Sequence, residues 1–102
     1  KVMREEIFGP VVSAIPFTDY DDVLRRANDT VYGLAAGIWT KDVAKAHRLA
    51  SQMRAGTVWS NCYNVFDAAL PFGGYKQSGW GREMSHDVLE LYTEVKSVCT
   101  AL

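Results

Sequence analysis

Three apolar, strand-like runs divide the first two-thirds of the chain: VVSAIPF (residues 11–17), LAAGIWT (34–40) and TVWSNC (57–62). Their midpoints fall near Ala14, Gly37 and Ser60, and each interval holds one helix-length stretch. This order constrains the fold more than any other feature. A strand, a helix and a second strand in the same direction make a right-handed crossover, so two such steps predict a β-α-β-α-β unit with a parallel sheet. VVSAIPF is apolar on both parities, as strands covered on both faces are. The even step reflects the length of the unit, and no residue-level repeat underlies it.

Thr18 stands three residues before Asp21, a capping-box-like spacing that predicts a helix through DDVLRRAN. Val23, Leu24 and Ala27 give it one apolar stripe, and Arg25 and Arg26 lie near its C-terminal end, where cations are favoured. A second helix is predicted over KDVAKAHRLASQMR, with Val43, Ala46, Leu49, Ala50 and Met53 on its inner face, Arg54 in its last turn and Gly56 as the stop. Beyond Cys62 both periodicities vanish. Residues 63–82 hold Pro71, four of the eight glycines, and Tyr63, Phe66, Phe72, Tyr75 and Trp80. A disordered segment would be poor in aromatics, so this is expected to be a long ordered loop. A short helix over about 83–92 and a terminal strand, EVKSVCTAL (94–102), close the chain. Nothing later covers that strand, so it is expected to pair outside this segment, with another chain or with a further part of its own.

A chain of 102 residues is one domain at most, and its 48% apolar and 23% charged residues suit a soluble globular protein. A net charge of −1 with both signs interspersed argues against nucleic-acid or anionic-membrane partners. No apolar stretch is long enough to span a bilayer, and no secretory signal is visible. Cys62 and Cys99 are too few for a disulfide scaffold and lack metal-ligand spacing, so no metal site is expected and a reduced, cytoplasmic setting is. The chain opens on Lys1, directly at a loop of functional character, which suggests a piece of something longer.

Lys76 and Ser78 in GGYKQSG lack the Walker spacing, with the lysine before the second glycine and no helix starting at Ser78. Glu5 and Glu6 are adjacent, and in an extended segment their side chains point to opposite sides and cannot share a substrate. Cys62 ends a strand, where α/β proteins place ligands, but has no histidine near it in sequence and reads as a small apolar residue. His47 and His86 read as surface residues. Phe66 and Phe72 flank a proline in the irregular loop; they either plug the loop onto the core or wall an apolar pocket, and both readings stand.

EEIFGPV, YGLAAGIWTKD, AGTVWSNCYNVF, PFGGYKQSGWGRE and YTEVKSV occur in this order over almost the whole chain. Together they resemble the C-terminal stretch of the NAD(P)-dependent aldehyde dehydrogenase superfamily, within the broad group acting on aliphatic, aromatic or betaine-type aldehydes. The resemblance implies that Glu6, the second acid of EEIFGP, accepts the hydroxyls of the nicotinamide ribose, and that Phe8 packs beside the nicotinamide end. It implies further that Phe66 and Phe72 line the aldehyde tunnel, with Cys62 near it as part of the wall and not as nucleophile. Gly73, Gly74, Gly79 and Gly81 would let the backbone pass close to its neighbours. YTEVKSV resembles the assembly tail, so Glu94, Val95, Lys96 and Val98 are expected to join a dimer or tetramer. After GRE, MSHDVLEL stands where many members carry glycines or a tyrosine.

The family's nucleophile, in a Gly-Gln-x-Cys setting, and its general base, in Glu-Leu-Gly-Gly, are not in this sequence. By resemblance, the whole enzyme oxidises an aldehyde to a carboxylic acid through a cysteine thiohemiacetal and thioester, using NAD or NADP. This segment would contribute a cofactor contact, a substrate wall and an assembly strand, with no catalytic residue, and would be inactive alone. The expected division is 1–93, a segment of the catalytic domain, and 94–102, the oligomerisation strand. The alternative is a non-catalytic self-association module derived from the same fold. A standalone nucleotide-binding domain is disfavoured because no glycine-rich strand-to-helix turn is present.

Overall fold

A computed structural model describes residues 1–102. The elements run α1 (Tyr20–Asn28), β1 (Tyr32–Gly33), β2 (Ala35–Ile38), α2 (Val43–Gln52), β3 (Thr57–Ser60), β4 (Tyr75–Lys76) and α3 (Asp87–Tyr92). The chain is therefore α/β, and its centre is one β-α-β unit. Strands β2 and β3 lie parallel, from Ala35 opposite Thr57 to Ile38 opposite Ser60, and α2 crosses between them and packs on both.

Helices α1 and α2 each start where a carboxylate answers a free N–H, whereas α3, with His86 ahead of it, has no side-chain cap. At α1 that acid is Asp19 and not Thr18: Asp19 Oδ1 accepts the Asp22 N–H at 2.9 Å. Thr18 instead gives its own N–H to Asp22 Oδ2 at 3.4 Å, so the return bond falls on the residue before the cap and the reciprocal box is not closed. Asp42 caps α2 by accepting the Lys45 N–H at 3.1 Å. The helix ends at Gln52, and Met53 is already extended, so Arg54 lies beyond it. Gly56 is required for a different reason than a helix stop. The backbone of Gly73 passes so close that a Cβ on Gly56 would stand 1.7 Å from the Gly73 carbonyl oxygen. On α2 the buried residue is Ala46, with Leu49 and Ala50 half-buried, whereas Val43 faces outward.

The expected three-stranded parallel sheet is reduced to two strands. VVSAIPF (11–17) is extended but unpaired, and every one of its side chains is exposed. The terminal run 94–102 is likewise without secondary structure and exposed throughout, Val95 completely so. The physical reason is the same at both ends. A strand is held by its neighbour's ladder, and no segment among these 102 residues lies alongside either run. The last helix is also shorter than 83–92. Met84 and Ser85 have φ of 64° and 54°, which no right-handed helix accommodates, and Glu83 is bridged antiparallel to Phe72. The long loop is ordered, as expected, but it contains β4, which pairs antiparallel with β1 through Tyr32–Lys76 and Gly33–Tyr75. Two-residue strands carry no readable period.

The core is small. Ile38, Ala46, Ala55 and Trp59 are its buried apolar members. The molecule measures 73 × 34 × 23 Å with a radius of gyration of 18.3 Å, where a compact chain of this length would have about 13 Å. The excess comes from the two arms, 1–17 and 93–102, which carry many large exposed apolar side chains.

Candidate functional site

Two clusters hold the residues singled out by sequence. The first lies where the N-terminal arm meets the β1–β4 pair. The Arg4 and Glu5 N–H groups both donate to the Lys1 carbonyl, at 2.8 and 2.9 Å, so the chain turns here and does not run straight. In consequence Glu5 and Glu6 border the same hollow, of about 520 Å³, with Thr30, Tyr32, Gln77 and Ser78. The expectation that they face opposite ways fails because it assumed an extended strand. Arg4 pairs with Asp29 at 2.9 Å, but both side chains are exposed, so this link contributes little to holding the arm.

The far wall of the hollow is better fixed. Ser78 Oγ accepts the Gly33 N–H at 3.0 Å, and the Gln77 N–H donates to the Val31 carbonyl at 3.0 Å. Lys76 has φ 54°, and its ammonium donates to the carbonyls of Asn28 and Thr30 at 2.9 and 3.0 Å. A cation placed at the C-terminal end of α1 is favoured by the helix dipole. GGYKQSG is thus a capping loop that closes α1 onto β1. Phe8, two residues beyond Glu6, is 99% exposed.

The second cluster follows β3. Trp59, 7% exposed, sits in the middle: its ring meets Tyr63 at 5.1 Å and Phe66 at 5.6 Å, edge to face, and Phe66 meets Phe72 at 5.1 Å. The indole N–H donates to the Val65 carbonyl at 2.8 Å. Loop 62–66 is therefore folded back on Trp59, with Asn61 and Asn64 at φ 55° and 54° making its bends. Phe66 and Phe72 do plug the loop onto the core through Trp59, and Phe66 still leaves about half its surface open. The Phe72 N–H and carbonyl exchange bonds with Glu83 at 2.8 and 2.7 Å, which ties the glycine-rich loop to the segment before α3. The Arg82 guanidinium closes that loop by donating to the carbonyls of Gly74, Trp80 and Gly81. Cys62 is half-buried beside this cluster, and neither it nor Cys99 forms a disulfide.

Glu6 and the phenylalanines thus occupy separate clusters on either side of the central unit, and Glu94, Val95, Lys96 and Val98 stand apart on the exposed C-terminal arm. Sequence reading missed Trp59, Asn61, Asn64 and Asn28. The Asn28 carboxamide accepts the Arg54 N–H at 2.8 Å and donates to the Gln52 carbonyl at 3.0 Å, joining α1 to the end of α2. For Asn61 and Asn64 the available signal was asparagine at a chain bend, where its short side chain tolerates the left-handed region.

The family model for the aldehyde dehydrogenase family matches residues 1–98. The chain belongs to the aldehyde dehydrogenase family. The Bacillus subtilis protein DhaS is 64% identical over 97 residues, which is 95% of this chain and 20% of DhaS. The Arabidopsis thaliana aldehyde dehydrogenase family 2 member B4, a mitochondrial protein, is 54% identical over 99% of this chain and 19% of its own length. The chain therefore spans about a fifth of the length of the curated relatives it matches. Among solved structures, the NAD+ complex of the Bacillus cereus aldehyde dehydrogenase superposes with a TM-score of 0.87 at 57% identity, over 93% of this chain and 19% of that one. Betaine aldehyde dehydrogenase from Staphylococcus aureus, also solved with NAD+, gives 0.84 at 46% identity, over 87% and 18%. Coverage that wide takes in much of the arms as well as the central unit.

Proposed function

We propose that this chain is the C-terminal part of an NAD(P)-dependent aldehyde dehydrogenase, with residues 1–93 belonging to the catalytic domain and 94–102 to an assembly strand. The superposition on a NAD+-bound enzyme five times longer carries the reading, because it includes arms that have no partner within this chain. Surfaces such as Val95, Val98, Val11 and Val12 left open to water are those a larger partner would cover, at roughly 25 cal/mol per Å² of apolar area.

The residues present fit a dinucleotide's ribose. Glu6 offers an acceptor-only carboxylate at the rim of an open hollow, which suits two neighbouring hydroxyls. When bound, NAD+ or NADP+ supplies the hydride acceptor for oxidising an aldehyde to an acid. In this chain Glu6 would orient the ribose, Phe8 would stand beside the nicotinamide end, and Phe66 and Phe72 would form an apolar wall, with Cys62 beside it, that excludes water around the aldehyde. Glu94, Val95, Lys96 and Val98 would bring subunits together as a dimer or tetramer. No helix is long and apolar enough to cross a membrane, and unpaired cysteines suit the cytoplasm as the working compartment.

The reading is tested in the full-length protein with NAD+, NADP+ and a panel of aliphatic, aromatic and betaine-type aldehydes. Oxidation is expected from the full-length enzyme and not from residues 1–102 alone. Glu6→Gln should lower kcat/KM about tenfold or more through misplaced cofactor. A folded full-length protein inactive on every aldehyde would overturn the reading, and Glu6→Gln kinetics equal to the parent would remove Glu6 from the site. The fully exposed 94–102 arm keeps one other reading in view, a self-association module without catalysis.

A further inference from the structure

We infer that Asn61 is a positioning residue for the aldehyde wall, acting through a carboxamide clamp that sets the direction in which the chain leaves β3. The inference rests on the proposed role of Phe66 and Phe72 in that wall. Strands β2 and β3 run parallel, and past Ile38 and Ser60 nothing in the ladder holds their ends together. Asn61 does so with one side chain. Its Oδ1 accepts the Thr40 N–H at 2.9 Å, and its Nδ2 donates to the Thr40 carbonyl at 2.9 Å. Its own N–H donates to the Ile38 carbonyl at 2.7 Å. The carboxamide therefore imitates one more rung between the strands, at the point where the backbone has already left the sheet.

That imitation requires a special backbone. Asn61 has φ 55°, the left-handed region in which a side chain can fold back on the preceding strand while the main chain turns away. The residues that follow, Cys62 to Phe66, are the loop folded on Trp59. Thr40 is itself anchored, because its Oγ1 accepts the Asp42 N–H at 3.1 Å at the start of α2. The loop bearing Phe66 is thus fixed at two points, its base on β2 and α2 through Asn61 and its centre on Trp59. Phe72 is held separately by Glu83, and its ring contact with Phe66 makes the spacing of the two rings depend on where the loop is set.

Removing the clamp while keeping the backbone should loosen the base of the loop, leaving the Asn61 N–H on the Ile38 carbonyl, the Trp59 contacts and the Phe66–Phe72 contact to hold it. The carboxamide is exposed to neither cofactor nor chemistry in this scheme, so its loss should be felt by the aldehyde and not by the dinucleotide. Asn61→Gly retains access to φ 55° and deletes the carboxamide, and with it both hydrogen bonds to Thr40. Asn61→Asp retains the oxygen that accepts from Thr40 N–H and loses the donor to its carbonyl.

The experiment measures steady-state kinetics of the full-length enzyme with a long-chain aldehyde, a short-chain aldehyde and NAD+. For Asn61→Gly, KM for the long-chain aldehyde should rise about tenfold, with a smaller rise for the short one and KM for NAD+ unchanged. Asn61→Asp should fall between Asn61→Gly and the parent. Aldehyde KM values equal to the parent in Asn61→Gly, or changes that hit NAD+ and both aldehydes alike, would overturn the inference. Should Asn61→Gly fail to fold, Asn61→Asp decides on the same split. Phe66→Ala and Phe72→Ala are run beside them: if these leave the aldehyde KM unchanged, the tunnel-wall reading fails, whereas a shift there with none at Asn61 sinks the clamp alone.

Discussion

The central unit and the two arms answer the same pressure in opposite ways. From Tyr20 to Ser60 the chain closes on itself: Asn28 joins α1 to α2, the β2–β3 ladder runs from Ala35 to Ile38, and Trp59 takes three aromatic or backbone partners. The arms are as apolar as the centre, yet Val12 and Val95 are almost wholly exposed. Hydrophobicity therefore does not by itself make a core. A core forms where the local crossover brings two apolar faces within reach, and it fails where the matching face is contributed by residues distant in sequence or on another chain.

The largest test of this contrast is Trp59→Ala. Deleting a buried aromatic that also supplies the N–H to Val65 should cost about 3–5 kcal/mol in denaturant unfolding of the full-length protein. A cost within about 0.5 kcal/mol, the range of ordinary surface changes, would show that the centre is not organised around Trp59.

A paired glycine test comes next. Gly56→Ala sets a methyl against the Gly73 carbonyl and should cost about 1–3 kcal/mol. Gly9→Ala in the N-terminal arm meets nothing within 4 Å and, in the 102-residue chain, should change the melting profile by less than about 0.5 kcal/mol. Equal effects at both positions would erase the distinction between a closed centre and open arms.

The smallest effect is expected at the edge of the centre. Arg26 beside Asp22 is the main cause holding its carboxyl below the ordinary 3.8, with Arg25 adding to it and partial burial opposing it. A depressed native value means stability that is present above 3.8 and is lost as the pH falls from 3.8 through the native value. Asp22→Asn should therefore lower the melting temperature slightly at pH 7, with the gap to the parent closing as the pH falls below 3.8 through the native value. Added salt should narrow the gap as well. A gap independent of pH would assign the Asp22 contribution to its hydrogen bonds to Thr18 and the helix start.

Much of this could be read before any coordinates. The helices were legible because 3.6-residue apolar spacing is a local signal, and α1 and α2 answer to it within a residue or two, although the cap of α1 falls on Asp19 and not on Thr18. Strands β2 and β3 were legible for the same reason, since the crossover helix between them leaves parallel pairing as the short connection. The candidate site was legible mainly through motif resemblance. Glu6 and Phe72 carry no local signature of a ligand role, and the turn that swings Glu5 and Glu6 to one hollow is made by hydrogen bonds to Lys1 that no periodicity records. The partners of Lys76 and Ser78, namely Asn28, Thr30 and Gly33, lie more than 40 residues away in the chain.

The amino-acid order alone determined the helices, the β-α-β centre and the family, because each depends on neighbours a few residues apart or on an ordered set of motifs. Tertiary structure alone decided that VVSAIPF stays unpaired here, that Gly56 and Gly73 touch, and that Asn61 bridges the strand ends. The division has a physical origin. Turns and helices are specified by local torsions and short-range hydrogen bonds, whereas a ladder, a close backbone approach or a clamp exists only when a second surface arrives to complete it.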